Sequence, residues 1–219
     1  MSNSKKRWLL TVALIALVAF AVGFAGYKTS MTGQAVYKRA DAATFYVRSL
    51  NENGELKASG SGFCVSESGL ALTASHVING ASAVHAVLND GSEVTLSVLS
   101  CDTKTDVAVL RLPQRDAAYP FIELESENPE SGESVYAIGY PLRTTKIISD
   151  GVVSNPDANI NGTQRLLISA ELASGMSGGP VVCEHGYAVG LNAATLRTMN
   201  GVSTSPTLAQ LKEAVANAK

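Results

Sequence analysis

What most constrains this chain is the spacing of its apolar residues. From Thr44 onward they come in short runs, many of them β-branched and each closed by a turn signal, while stretches with a helical period are scarce. Strands are expected at Thr44–Ser49, Gly62–Ser66, Leu70–Ala74, Val84–Leu88, Val94–Leu99 and Val107–Leu112. Asn53-Gly54 and Asn89-Asp90-Gly91 supply hairpin turns, the first suited to the positive φ angles of a type I′ turn. Val94, Leu96 and Val98 alternate with polar neighbours, the period of a half-buried strand, whereas Val107–Leu112 is apolar enough to be covered on both faces. After a loop over Pro113–Pro120, a second series falls at Val135–Ile138, Thr145–Ser149, Arg165–Ala170, Val181–Cys183 and Ala188–Leu191. A helix over about 206–217 closes the chain, opened by Pro206 and carrying Leu208, Leu211 and Val215 on one face. This pattern suits an all-β domain over 41–219, expected as two antiparallel β-barrels of six-stranded type, about 41–113 and 121–205, followed by the helix.

The N-terminus has a different character. Trp8 to Tyr27 is a run of twenty uncharged residues, long enough as a helix, at about 1.5 Å per residue, to cross a hydrocarbon core of about 30 Å. Lys5-Lys6-Arg7 precede it, so the positive-inside rule keeps the short N-terminus cytoplasmic and exports the remainder of the chain. Residues 1–27 are therefore a retained inner-membrane anchor or a cleaved signal peptide, with 28–40 as a connector. Small residues around Ala19-Phe20-Ala21 and Gly23-Phe24-Ala25 suit a signal peptidase, but the run is longer than a signal segment needs, which favours the anchor. The domain then faces the periplasm or the outside.

That compartment is oxidising, yet Cys64, Cys101 and Cys183 are odd in number, so at least one lies outside any intramolecular pair. Cys64 and Cys101 lie close enough in sequence to be bridged, but buried cysteines acting as small apolar residues are the favoured reading. The net charge of −2 becomes more acidic once Lys5-Lys6-Arg7 is set aside, and no basic stripe points to nucleic acid. No HExxH or CxxC spacing suggests a metal, and His85 and His185 read as structural or solvated.

Chemistry concentrates in three places. Gly175-Met176-Ser177-Gly178-Gly179-Pro180 sets a serine in a glycine-rich turn between strands. A serine hydroxyl becomes a nucleophile only with a base to take its proton and donors to receive the oxyanion. His76 follows a strand in Thr73-Ala74-Ser75-His76-Val77, and Asp106 opens the apolar strand at Thr105-Asp106-Val107, where a carboxylate can orient an imidazole.

In that order the three motifs resemble chymotrypsin-like serine peptidases, and their wording is nearest the HtrA-type protease domain. Gly60-Ser61-Gly62-Phe63, Asp102 to Val109, Gly132 to Pro141 and Gly190-Leu191-Asn192-Ala193-Ala194 carry the rest of the likeness, which spans roughly residues 41–215. The resemblance implies a double β-barrel with an active site in the cleft between barrels, acting as a serine endopeptidase on proteins or peptides without a cofactor. His76, Asp106 and Ser177 would be the triad, and backbone N–H groups at Gly175, Met176 and Ser177 the oxyanion hole. Glu171, at the position that floors the specificity pocket in trypsin, and Asn192 and Ala193 would meet substrate. Met176 stands where trypsin has the Asp that pairs with a new N-terminus, so activation by that ion pair is not expected. No PDZ domain is expected to follow the barrels, so regulation through one is not implied. The competing reading is a membrane-tethered binding module that keeps the fold without the activity.

The topology is testable directly. A reporter fused after Lys219 should be exported, and protease added to cells with a permeabilised outer membrane should degrade the domain. Full protection would make it cytoplasmic.

Overall fold

A computed structural model describes residues 29–143, 145–196 and 199–218. The expected anchor or signal segment lies outside the described residues, and among these no helix is long and apolar enough to cross a membrane.

Among the described residues, fourteen strands form two antiparallel sheets of seven. The first holds β1 (Thr44–Leu50), β2 (Leu56–Cys64), β3 (Leu70–Ala74), β4 (Ala83–Val87), β5 (Glu93–Thr95), β6 (Ser97–Asp102) and β7 (Val107–Arg111), in the order β5-β4-β1-β2-β3-β7-β6. The second holds β8 (Ser134–Gly139), β9 (Ile147–Ile160), β10 (Thr163–Ile168), β11 (Pro180–Cys183), β12 (Ala188–Leu191), β13 (Ala194–Thr195) and β14 (Ser203–Ser205), in the order β12-β11-β8-β9-β10-β14-β13. The edge strands explain how these counts relate to the six-stranded barrels expected. Only Leu96 separates β5 from β6, and only Asn192 and Ala193 separate β12 from β13. In each sheet one stretch of chain therefore supplies both ends, and closure removes the exposed edges that open sheets must protect.

Burial follows the strand period. In β11, Val181 and Cys183 enter the second core with Val135, Ala137, Leu166 and Ile168. Val182 faces the other way, into the larger core built by the first sheet with Ile138 and Leu191. Both faces of β11 are thus buried, which is why its residues are small and apolar.

Several expected elements differ. The connector over 28–40 contains a helix, α1 (Gly33–Ala43), capped by Thr32, whose Oγ1 accepts from Ala35 N–H, and buried along Val36, Ala40 and Ala43. The Asn53-Gly54 hairpin is a wider loop over 51–55 in which Gly54 alone of the pair has positive φ (77°), so it is not type I′. Val98 is 46% exposed rather than inward, beside a register shift between Val98 and Ser100. The strand expected at Thr145–Ser149 runs on as the fourteen residues of β9, with few of its side chains buried. A four-residue helix, α2 (Ser75–Ile78), follows β3 and carries His76. Cys64 and Cys183 are buried and Cys101 exposed, and all three are free. Burial pushes the Cys64 thiol up to about 12, as befits an apolar filler.

The terminal helix, α3 (Leu208–Asn217), begins at a capping box. Thr207 Oγ1 accepts from Gln210 N–H, and the Gln210 side chain accepts in return from Thr207 N–H. It buries Leu208 and Leu211, and Leu211 reaches the large core. Leu211→Ala should cost about 2–5 kcal/mol of stability. Urea unfolding should show a lowered midpoint with an unchanged slope.

Candidate active site

The His76 imidazole is oriented by a carboxylate that itself accepts several hydrogen bonds. Nδ1 lies 2.8 Å from Asp106 Oδ2 and 3.1 Å from Oδ1. Asp106 Oδ1 also accepts the His76 backbone N–H at 3.0 Å and the Ser75 hydroxyl at 2.9 Å. Burial alone would raise the Asp106 pKa; the bonds from His76 and Ser75 outweigh it and hold the carboxyl below its usual value. Asp106 sits at φ 64°, a left-handed conformation that Asp tolerates better than most residues and that aims its carboxylate back at α2. Arg165, from β10 of the other sheet, supports this kink: its guanidinium donates to the carbonyls of Thr105 and Lys104.

The turn carrying Ser177 is wedged against the first sheet. Ser61 N–H donates to the Ser177 carbonyl at 2.7 Å. The Ser61 hydroxyl accepts from Tyr140 N–H and donates to the Gly175 carbonyl, both at 2.9 Å. Gly178 has φ +86°, and a Cβ there would stand 2.2 Å from the Ser61 carbonyl oxygen, so only glycine fits this approach.

Asn192 and Ala193, expected to meet substrate, also brace this turn. Asn192 is fully buried; its Nδ2 donates to the Ile138 carbonyl at 2.9 Å and the Met176 carbonyl at 3.2 Å. Its carbonyl accepts from Gly178 N–H and its N–H donates to the Gly179 carbonyl. The Ala193 carbonyl accepts the Ser177 hydroxyl at 3.3 Å, and the Ala193 N–H donates to the Thr204 carbonyl. Among the described residues no hydrogen bond joins Ser177 to His76.

Of the three candidate oxyanion donors, Met176 N–H already donates to the Ala173 carbonyl at 3.0 Å, so it is committed to the loop. The N–H groups of Gly175 and Ser177 donate to no acceptor among the described residues. Glu171 is exposed. Ser75, Ser61 and Arg165 carry no sequence signal as functional positions. Ser61 lies in a Gly-Ser-Gly run, but nothing in such a run announces a hydrogen bond to a residue as remote in sequence as Gly175.

Comparisons with known proteins agree on one family. A model described as a trypsin-like peptidase domain matches residues 60–191. The "Putative serine protease HhoB" of Synechocystis sp. is 32% identical over 163 residues, covering 69% of this chain and 38% of that protein. The "Probable periplasmic serine endoprotease DegP-like" of Pseudomonas savastanoi pv. phaseolicola is 35% identical over 151 residues, covering 67% of this chain and 31% of that one. Among solved structures, a serine endoprotease from Yersinia pestis superposes with a TM-score of 0.75 at 26% identity, covering 87% of this chain and 67% of that chain. The chain spans about a third of the length of the curated relatives it matches.

Ser61→Ala would leave the Tyr140 N–H and the Gly175 carbonyl without their partner in a buried joint. The expected cost is about 1–3 kcal/mol per orphaned group. Labelling of Ser177 by a fluorophosphonate should slow under conditions where circular dichroism shows the domain still folded; labelling at the normal rate would mean that the joint does not position the turn.

Proposed function

The chain belongs to the trypsin-like peptidase family, and from that premise we propose that it is a serine endopeptidase that cuts proteins or peptides through an acyl-enzyme. The single observation that carries this reading is the held imidazole: Asp106 engages Nδ1 at 2.8 Å, which leaves Nε2 as the basic nitrogen facing outward from the pair.

In the proposed cycle His76 Nε2 takes the Ser177 hydroxyl proton as Oγ attacks the scissile carbonyl carbon. Oγ must first leave the Ala193 carbonyl, a rotation about χ1 that exchanges one hydrogen bond for another. The N–H groups of Gly175 and Ser177 stabilise the oxyanion, since neither has another acceptor among the described residues. The imidazolium, stabilised by Asp106, then protonates the leaving amine. Water, deprotonated by His76, attacks the ester, and collapse of the second tetrahedral intermediate returns the proton to Ser177. Asp106 stays ionised throughout, in keeping with its lowered pKa.

We assign the peptidase domain to 41–219. With residues 1–27 as anchor or signal, it acts on the exported side of the inner membrane; the DegP-like relatives, called periplasmic, support that side. Glu171 receives no specificity role, because an exposed carboxylate does not need a substrate cation to offset desolvation. One observation favours the competing non-catalytic module: the Ser177 hydroxyl bonds to Ala193 and not to His76.

Ser177→Ala should abolish proteolysis of an unfolded protein substrate and labelling by a fluorophosphonate, with the thermal transition unchanged. Wild-type turnover by the variant would refute the nucleophile; a wild-type chain that never labels would establish the binding module.

A further inference from the structure

Three metal-ligating side chains converge at the end of β11 away from Ser177, where none takes part in the proposed chemistry. Cys183 ends the strand, His185 lies in the turn to β12, and Glu125 comes from the connector between the sheets. Cys183 Sγ is 3.7 Å from Glu125 Oε2 and 4.0 Å from His185 Nδ1. All three ligating atoms lie within 4.8 Å of one another. Cys183 is fully buried and Glu125 is 5% exposed, so the cluster sits inside the protein with His185 at its outer side.

These separations are close to those of a metal cage. Tetrahedral Zn2+ with sulfur at about 2.3 Å and nitrogen or oxygen at about 2.0–2.1 Å sets neighbouring ligand atoms about 3.6 Å apart. The surroundings are also ordered. Ser126 donates to Glu125 Oε1 from its N–H at 2.6 Å and its hydroxyl at 3.0 Å, turning Oε2 toward the sulfur. Gly186, at φ 83°, makes the turn that brings His185 back toward Cys183. A neutral thiol donating to Glu125 accounts for one of these contacts, but it leaves the imidazole at 4.0 Å from the same sulfur without a role.

We propose that Glu125, Cys183 and His185 form a three-ligand site for one thiophilic divalent cation of the Zn2+ class, with water in the fourth position. Binding replaces the Cys183 thiol proton, which goes to solvent, so thiolate and carboxylate together neutralise the 2+ charge. A thiolate–imidazole–carboxylate set selects Zn2+ over the hard cations Mg2+ and Ca2+. The cation would tie the connector to the β11–β12 hairpin, beside the parallel bridge between Leu124 and Ala188 and the Glu125 N–H bond to the Ala188 carbonyl at 2.9 Å. Its role is therefore stabilisation of the second sheet, and it does not rest on the peptidase assignment.

The test uses the purified full chain, stripped of metal and titrated with Zn2+ or Co2+. One equivalent of Zn2+ should bind per chain and raise the thermal midpoint, and Co2+ should give a thiolate-to-metal charge-transfer band. Cys183→Ser should remove that band, and Glu125→Gln and His185→Ala should each weaken Zn2+ binding about tenfold or more. His185 lies in a part-exposed turn, so its variant keeps the test valid if the buried substitutions fail to fold. Absence of stoichiometric Zn2+ binding, or equal affinity in the wild type and His185→Ala, would overturn the site. Neither readout involves Ser177, so this proposal and the peptidase reading fail separately.

Discussion

The candidate active site depends first on Ser61. This fully buried side chain stands where the two sheets meet, and it engages both with donor and acceptor capacity in use. Its hydroxyl links the Tyr140 N–H at the end of β8 to the Gly175 carbonyl, while its backbone N–H holds the Ser177 carbonyl. Its own carbonyl accepts from Thr73 Oγ1 at 2.7 Å, on the strand that leads into His76. One residue therefore sets the turn bearing the candidate nucleophile against the strand bearing the candidate base. In a water-excluded joint each of these bonds is costly to lose, because no solvent can replace the missing partner.

Two further contacts carry the same logic outward. Arg165 crosses from the second sheet to brace the backbone ahead of Asp106, so the carboxylate is positioned by both halves of the fold. Asn192 pins the other side of the Ser177 turn through the carbonyls of Ile138 and Met176. Its Oδ1 has no hydrogen-bond partner among the described residues, a buried acceptor tolerated because two donated bonds fix the amide orientation. The candidate site is thus held by hydrogen bonds from both sheets, with the Ser177 hydroxyl on the Ala193 carbonyl.

Legibility in the sequence follows local energetics. β3, β7 and β11 are readable because their residues are apolar enough to be buried on both faces, and the Asn89-Asp90-Gly91 hairpin because Gly91 takes the positive φ (80°) that its position demands. α1 is not, because only Val36, Ala40 and Ala43 mark its buried stripe, too sparse against Lys38, Arg39 and Asp41. The far half of β9 is hidden because Asn155, Pro156 and Asp157 read as a turn; partners in β10, not propensity, hold that stretch extended.

His76, Asp106 and Ser177 stand out as candidates in the sequence, because each sits in a local setting, strand end or glycine-rich turn, that the proposed chemistry would require. The all-β class and the terminal helix were determined in the same way, by side-chain period and turn residues. The roles of Ser61, Ser75, Arg165 and Asn192, and the meeting of Glu125 with Cys183 and His185, were decided only by the tertiary structure. Each of these depends on a hydrogen bond or close approach between chain segments whose pairing is set by barrel closure, and no local pattern of residues records which distant carbonyl or sulfur a buried side chain will face.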